Sequence, residues 1–243
     1  MSWMTEGGEP ASLWEEAHSF AERLNYLVAG VLVGDLPQFR AEEHHERLVV
    51  VSTGTEAFRL RRSLSDAQFA LLDVSFHCVW NSSKSFLGIH KSTFKLRGPD
   101  GGHPVFHMDY LRRPHSRSVP VAHYNVSSQH PVVREMVDPA GAADDPESTR
   151  KIHIPVGGHR FRPTLEDVLQ MLITDFNVEC KPGWRGSIEE GRGIFRETQT
   201  AAAVLDHPQK AAEELRRQGF SVEWTGPPKE QPVDIRAESF YRY

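Results

Sequence analysis

Between Leu13 and Val31 the apolar positions Leu13, Ala17, Phe20, Leu24, Leu27, Val28 and Val31 recur every three or four residues. That spacing gathers side chains on one face of an α-helix. Ser12 and Glu15 match a capping box at its start, and Gly34 and Pro37 stop the pattern. The stripe predicts an amphipathic helix that covers one side of a sheet.

After the polar residues 41–46 the period changes to two. The β-rich runs 47–52 and 56–61, separated by Thr53-Gly54-Thr55, predict a hairpin. Two neighbouring strands follow, Leu71 to Trp80 and Leu87 to Arg97, and the turn Gly98-Pro99-Asp100-Gly101-Gly102 leads into a strand that carries His107. From Thr164, which pairs with Asp167 as a cap, the helical period returns through Leu165, Val168, Leu169, Leu172 and Ile173. Ser187 with Glu190 predicts a second helix to about Leu205, and Asp206 predicts a cap for a third over 208–218. The expectation is an α+β fold: a mostly antiparallel β-meander sheet of five to seven strands, with the N-terminal helix and the C-terminal helices packed on one face. Residues 1–224 are expected to form one domain, with its C-terminal helical segment at about 163–218 and an extended or flexible tail over 225–243.

Within this frame three segments place a histidine on the same parity: 105–110 around His107, 121–126 around His123 and 151–156 around His153. Read as strands, they set His107, Asp109, His123, Asn125, Lys151 and His153 on one face. Phe106, Met108, Tyr110, Tyr124, Ile152 and Ile154 then lie on the other, the face expected to receive the helices. In the preceding strand Lys91, Thr93, Lys95 and Arg97 share a face that can join the histidine stripe. Alternation of this kind also arises when a sheet is covered on one side and wet on the other.

Composition narrows the function classes. With 39% hydrophobic and 25% charged residues and a mean hydropathy of -0.48, the chain has no stretch suited to spanning a membrane. The N-terminus lacks the pattern of a secretory signal, so a cytoplasmic location is expected. Cys78 and Cys180 are too few and too far apart for a disulfide framework or a cysteine zinc site. The net charge of -5 argues against a protein that coats nucleic acid, although a local basic patch can bind phosphate. Nine of the thirteen histidines fall between His77 and His159, which concentrates acid-base and ligand chemistry in the sheet region.

The preferred functional expectation is acid-base chemistry, without a metal or other cofactor, on a phosphodiester, RNA or a nucleotide. His123 and His153 would serve as base and acid, with His107 beside them and Asp109 orienting a ring. Asn125, Lys91, Lys95, Lys151, Arg160 and Arg162 would hold the ligand and its phosphate. The Gly157-Gly158 turn before a capped helix, flanked by Arg160 and Arg162, outlines an anion site. A basic loop over 112–117 and an acidic stretch over 138–150 are expected as loops, the second as a mobile lid.

His107-Met108-Asp109 with His153 and then Arg162-Pro163-Thr164 resembles the His-x-Asp, His, Arg-x-Ser/Thr order of iron and 2-oxoglutarate oxygenases. That resemblance implies iron or another divalent metal on His107, Asp109 and His153. Arg162-Pro163-Thr164 departs from it by opening a helix instead of lying in a strand. A third expectation is a non-catalytic module whose polar face or acidic loop meets a protein partner.

Overall fold

Ser12 opens α1 (Leu13–Val31) with a reciprocal cap: its backbone N–H donates to Glu15 Oε2 at 2.6 Å and Glu15 N–H donates to Ser12 Oγ at 3.2 Å. The structure, a computed structural model, describes residues 11–63, 65–81, 84, 86–114, 119–126, 152–156, 161–227 and 233, without the side chains of 65, 66, 126, 152, 153 and 155. α1 buries Leu13, Ala17, Ala21, Leu24, Leu27, Val28 and Val31 against the sheet. From within α1 Asn25 reaches the chain beyond the helix, donating to the Phe39 carbonyl at 3.1 Å and accepting from Phe39 N–H at 2.7 Å. This clamp aims the chain into the first strand.

The sheet comprises β1 (Arg40–His45), β2 (Leu48–Ser52), β3 (Phe58–Arg62), β4 (Ser65–Trp80), β5 (Leu87–Gly98), β6 (Gly101–Leu111), β7 (Ala122–Val126) and β8 (Ile152–Pro155). Their order is β1-β2-β4-β5-β6-β7-β8, with β3 also on β4, and the neighbouring pairs are antiparallel. β5 and β6 join through Pro99-Asp100, with Gly98 opposite Gly101 and Gly101 at φ 85°. A side chain there would be strained in the left-handed region, which is why glycine closes the turn.

Two expectations about the first strands need correction. β2 and β3 form no hairpin with each other; they pair end to end along one edge of β4, β2 against Ser75–Cys78 and β3 against Ser65–Leu72. Sixteen residues of β4 are long enough to take both short strands, so the turn at Gly54 carries the chain along the edge instead of back. Residues 41–46, read as a polar connection, lie largely in the edge strand β1, nearly all of it exposed. A strand that buries almost nothing leaves no apolar alternation, and main-chain hydrogen bonds to β2 sustain it.

On the covered face Phe58, Leu60, Leu72, Val74, Phe76, Phe94, Leu96 and Met108 meet α1 and α2 (Leu165–Phe176), whose buried stripe is Leu165, Val168, Leu169 and Leu172. Thr164 caps α2 by accepting from Asp167 N–H at 3.2 Å. Phe106 and Tyr124 are partly buried on this side and Tyr110 is buried, whereas Ile154, expected in the core, is exposed in the edge strand β8. α3 (Trp184–Asp206) is capped at Gly183, with φ 83°, four residues before the expected cap at Ser187. Ser187 instead lies where Gly30 of α1 leaves no room for a Cβ, so the helices meet there at close range. α4 (Pro208–Arg217) starts after His207, not Asp206, and buries none of its residues. No described helix is long and apolar enough to cross a membrane.

Candidate functional site

Strand register assembles the site. Across the face turned away from the helices one row runs Asp73, Lys95, His107, Asn125 and the backbone position of His153; the next runs Ser75, Thr93, Asp109 and His123. Each row takes one residue from each strand because antiparallel neighbours place directly opposed side chains on the same face.

This end of the face is not a wet surface. His107 is 8% exposed, His123 3%, Asn125 3% and Thr93 6%. Buried polar groups need partners, and here one carboxylate supplies them. Asp109 Oδ2 lies 3.0 Å from His107 Nε2 and 3.9 Å from His123 Nε2, and it accepts from Asn125 Nδ2 at 3.4 Å. His123 Nδ1 donates to the Pro120 carbonyl at 2.8 Å, since a carbonyl can only accept. That bond fixes the ring, with Nε2 as the nitrogen turned towards Asp109.

Burial is the largest influence on the Asp109 carboxyl and by itself disfavours the charge. It is outweighed by the hydrogen bond and charge of His107, with help from Thr93 and His123, so the pKa ends below the ordinary 3.8 and the group stays ionised near neutrality. The Thr93 hydroxyl and Asn125 Oδ1 are both buried without a hydrogen-bond partner of ordinary geometry. They flank Asp109, the Thr93 hydroxyl close enough to help hold the carboxylate ionised and Asn125 Oδ1 an unused acceptor.

Farther along the same face the register slips between His77 and Cys78, which brings an extra residue, His90, into β5 opposite. Burial first, and then the neighbouring Lys91, His90 and His44, lower the pKa of His77. Several basic groups therefore gather there, none of them part of the expected catalytic set except Lys91 as a ligand holder. Arg97 lies on this face but is tied to Asp73 by a two-pronged pair, Nε to Oδ2 at 2.6 Å and Nη2 to Oδ1 at 2.8 Å.

The structure thus brings together His107, Asp109, His123 and Asn125, with Lys95 opposite His107 and exposed, and Lys91 opposite His77. The side chain of His153 and all of Lys151 and Arg160 lie outside the described residues, as do 115–118 of the basic loop and the whole acidic stretch 138–150. Arg162 is not part of the set. Its guanidinium stacks over Tyr110 and Phe195, which puts it on the covered side of the sheet. Odd and even residues of β6 face opposite ways, so a group over Tyr110 cannot also reach Asp109. Sequence reading passed over Pro120, whose carbonyl orients His123, and gave Thr93 no role although it shares its parity with Lys91 and Lys95.

Among the described residues no group of three or more His, Cys, Asp and Glu side chains is arranged to hold a metal ion. The expected metal set depends on His153, whose side chain lies outside them. Comparison with protein-family models, with curated proteins and with solved structures returns no match.

Proposed function

We propose that the His107–Asp109–His123 cluster is an acid-base site that binds a phosphate-containing ligand and cleaves a phosphodiester without a metal. The observation that carries this reading is one ionised, half-buried carboxylate holding one imidazole and facing a second, with Asp109 Oδ2 at 3.0 Å from His107 Nε2 and 3.9 Å from His123 Nε2. A carboxylate that accepts from Nε2–H leaves the lone pair of a neutral His107 ring on Nδ1, where it acts as base. His123 donates through Nδ1 to Pro120, so its Nε2 is the position from which a protonated ring gives up a proton. One ring takes the proton of the attacking hydroxyl or water and the other delivers one to the departing oxygen.

Binding follows from the surroundings. Lys95 stands opposite His107 and Lys91 opposite His77 on the same face, which favours an anionic chain such as RNA. Asn125 Oδ1 and the Thr93 hydroxyl supply buried hydrogen-bonding capacity for a ligand hydroxyl or amino group. His153, opposite Asn125 in the backbone register, belongs in the same test.

The test is hydrolysis of bis(p-nitrophenyl) phosphate and of a single-stranded RNA by chelator-treated protein. His107→Ala and His123→Ala should each lower kcat by about 10²–10⁴-fold with the circular dichroism spectrum intact. Lys95→Ala should act mainly on KM. Wild-type protein inert on both substrates, or histidine variants as active as wild type, would overturn the reading. Activity that disappears with the chelator and returns with iron would favour the metal-dependent alternative.

A further inference from the structure

On the opposite side of the sheet a cleft of about 310 Å³ is lined by Tyr124 of β7, Phe161, Arg162 and Pro163 before α2, Asp167 in its first turn and Phe195 of α3. We propose that this cleft binds a small aromatic carboxylate, with the Arg162 guanidinium as its anchor, independently of the histidine site.

The arginine is what calls for a ligand. Its Cζ lies over the Phe195 ring at 5.1 Å from the ring centre and over the Tyr110 ring at 6.0 Å, so aromatic faces flank the guanidinium. The nearby carboxylates are engaged elsewhere. Asp167 accepts from Arg192 Nη2 at 2.9 Å and from the Thr164 hydroxyl at 2.9 Å. Glu166 fills the space that Gly191 of α3 leaves open, and burial, the largest influence on its carboxyl, raises its pKa and disfavours its charge. Among the described residues no carboxylate forms an ion pair with Arg162. Burial lowers the arginine's own pKa, and the neighbouring Tyr110, Glu166 and Cys78 oppose that only in part.

The rest of the cleft selects the ligand. A guanidinium edge presents parallel N–H donors that match a carboxylate two-for-two. One guanidinium beside the paired Asp167 suits a single negative charge better than the double charge of a phosphate monoester. Phe195 and Tyr124 form aromatic walls, and Phe161, exposed at the cleft, can cover a planar ring. The volume lies at the small end of ligand pockets, about 300–1,000 Å³, so a single ring with a short acid arm fits.

The full chain can be titrated by calorimetry and ligand-observed NMR with phenylacetate, its neutral analogue phenylacetamide, and phenyl phosphate. Phenylacetate should bind, phenylacetamide at least about tenfold more weakly, as for loss of one charge-assisted hydrogen bond, and phenyl phosphate no more tightly than phenylacetate. Arg162→Met should abolish phenylacetate binding, and His107→Ala should leave it unchanged. Equal binding of acid and amide by wild-type protein, undiminished binding by Arg162→Met, or no binding of phenylacetate at about 10 mM would each overturn the proposal. The acid-amide comparison uses wild-type protein, so it decides even if Arg162→Met does not fold. Loss of binding in His107→Ala would overturn the independence of the two sites.

Discussion

His107 Nε2 sits 3.0 Å from Oδ2 of Asp109, two residues farther along the same strand, and both side chains face away from the helices. Neighbours at i and i+2 on a strand share a face, so the pair is local in sequence. Its burial is not local, because Thr93, His123 and Asn125 come from the strands on either side.

The pair makes stability depend on acid. A carboxyl whose folded pKa lies below its unfolded value stabilises the fold fully above the unfolded value, and that contribution is lost as the pH falls through the folded one. For Asp109 the loss therefore begins near the ordinary 3.8 and continues below it. Asp109→Asn should remove this part of the acid dependence and cost about 2 kcal/mol at neutral pH, the scale of a hydrogen bond to a charged group. Thermal melts of both proteins between about pH 2 and 7 check it. Curves that stay parallel throughout would show that Asp109 does not stabilise the fold as an ion.

Gly30 should resist replacement although alanine is the better helix former. Alanine for glycine inside a helix ordinarily gains about 1 kcal/mol. At this position a Cβ would run into the side chain of Ser187, with its Cβ at 3.1 Å, so α3 must move off α1. Gly30→Ala should lower the melting temperature, and adding Ser187→Gly should recover most of the loss. A stabilised single variant would mean that α3 does not pack closely on α1.

The two thiols should differ in reactivity. Burial pushes the Cys78 thiol up to about 12, against a weaker opposing effect of Arg162, and the residue is fully enclosed in the core. Cys180 is partly accessible. Because the thiolate is the reactive form, a disulfide reagent at pH 8 should label the native protein at one cysteine and the denatured protein at both. Cys180→Ser should leave the native protein unlabelled; rapid labelling of that variant would place Cys78 at the surface.

Periodicity alone determined much of this protein. The buried stripe and cap of α1, the capped start of α2, the glycine turn between β5 and β6, and the common face of His107, Asp109, His123 and Asn125 all follow from rules that act within a few residues. Tertiary structure decided the rest. Whether two consecutive strands pair with each other or share a third depends on the length and register of the partner, here β4, and no local pattern in β2 or β3 carries that information. An edge strand such as β1 buries little and so leaves no apolar trace. Ser187 resembled a cap, but the approach of Gly30 gives it a packing role. Arg162 lies close in sequence to the third histidine segment, yet the chain turns there towards α2 and carries the guanidinium over Tyr110 to the other side of the sheet. Sequence distance measures chain length, while the side of a sheet that a residue reaches is set by where the connecting chain crosses its edge.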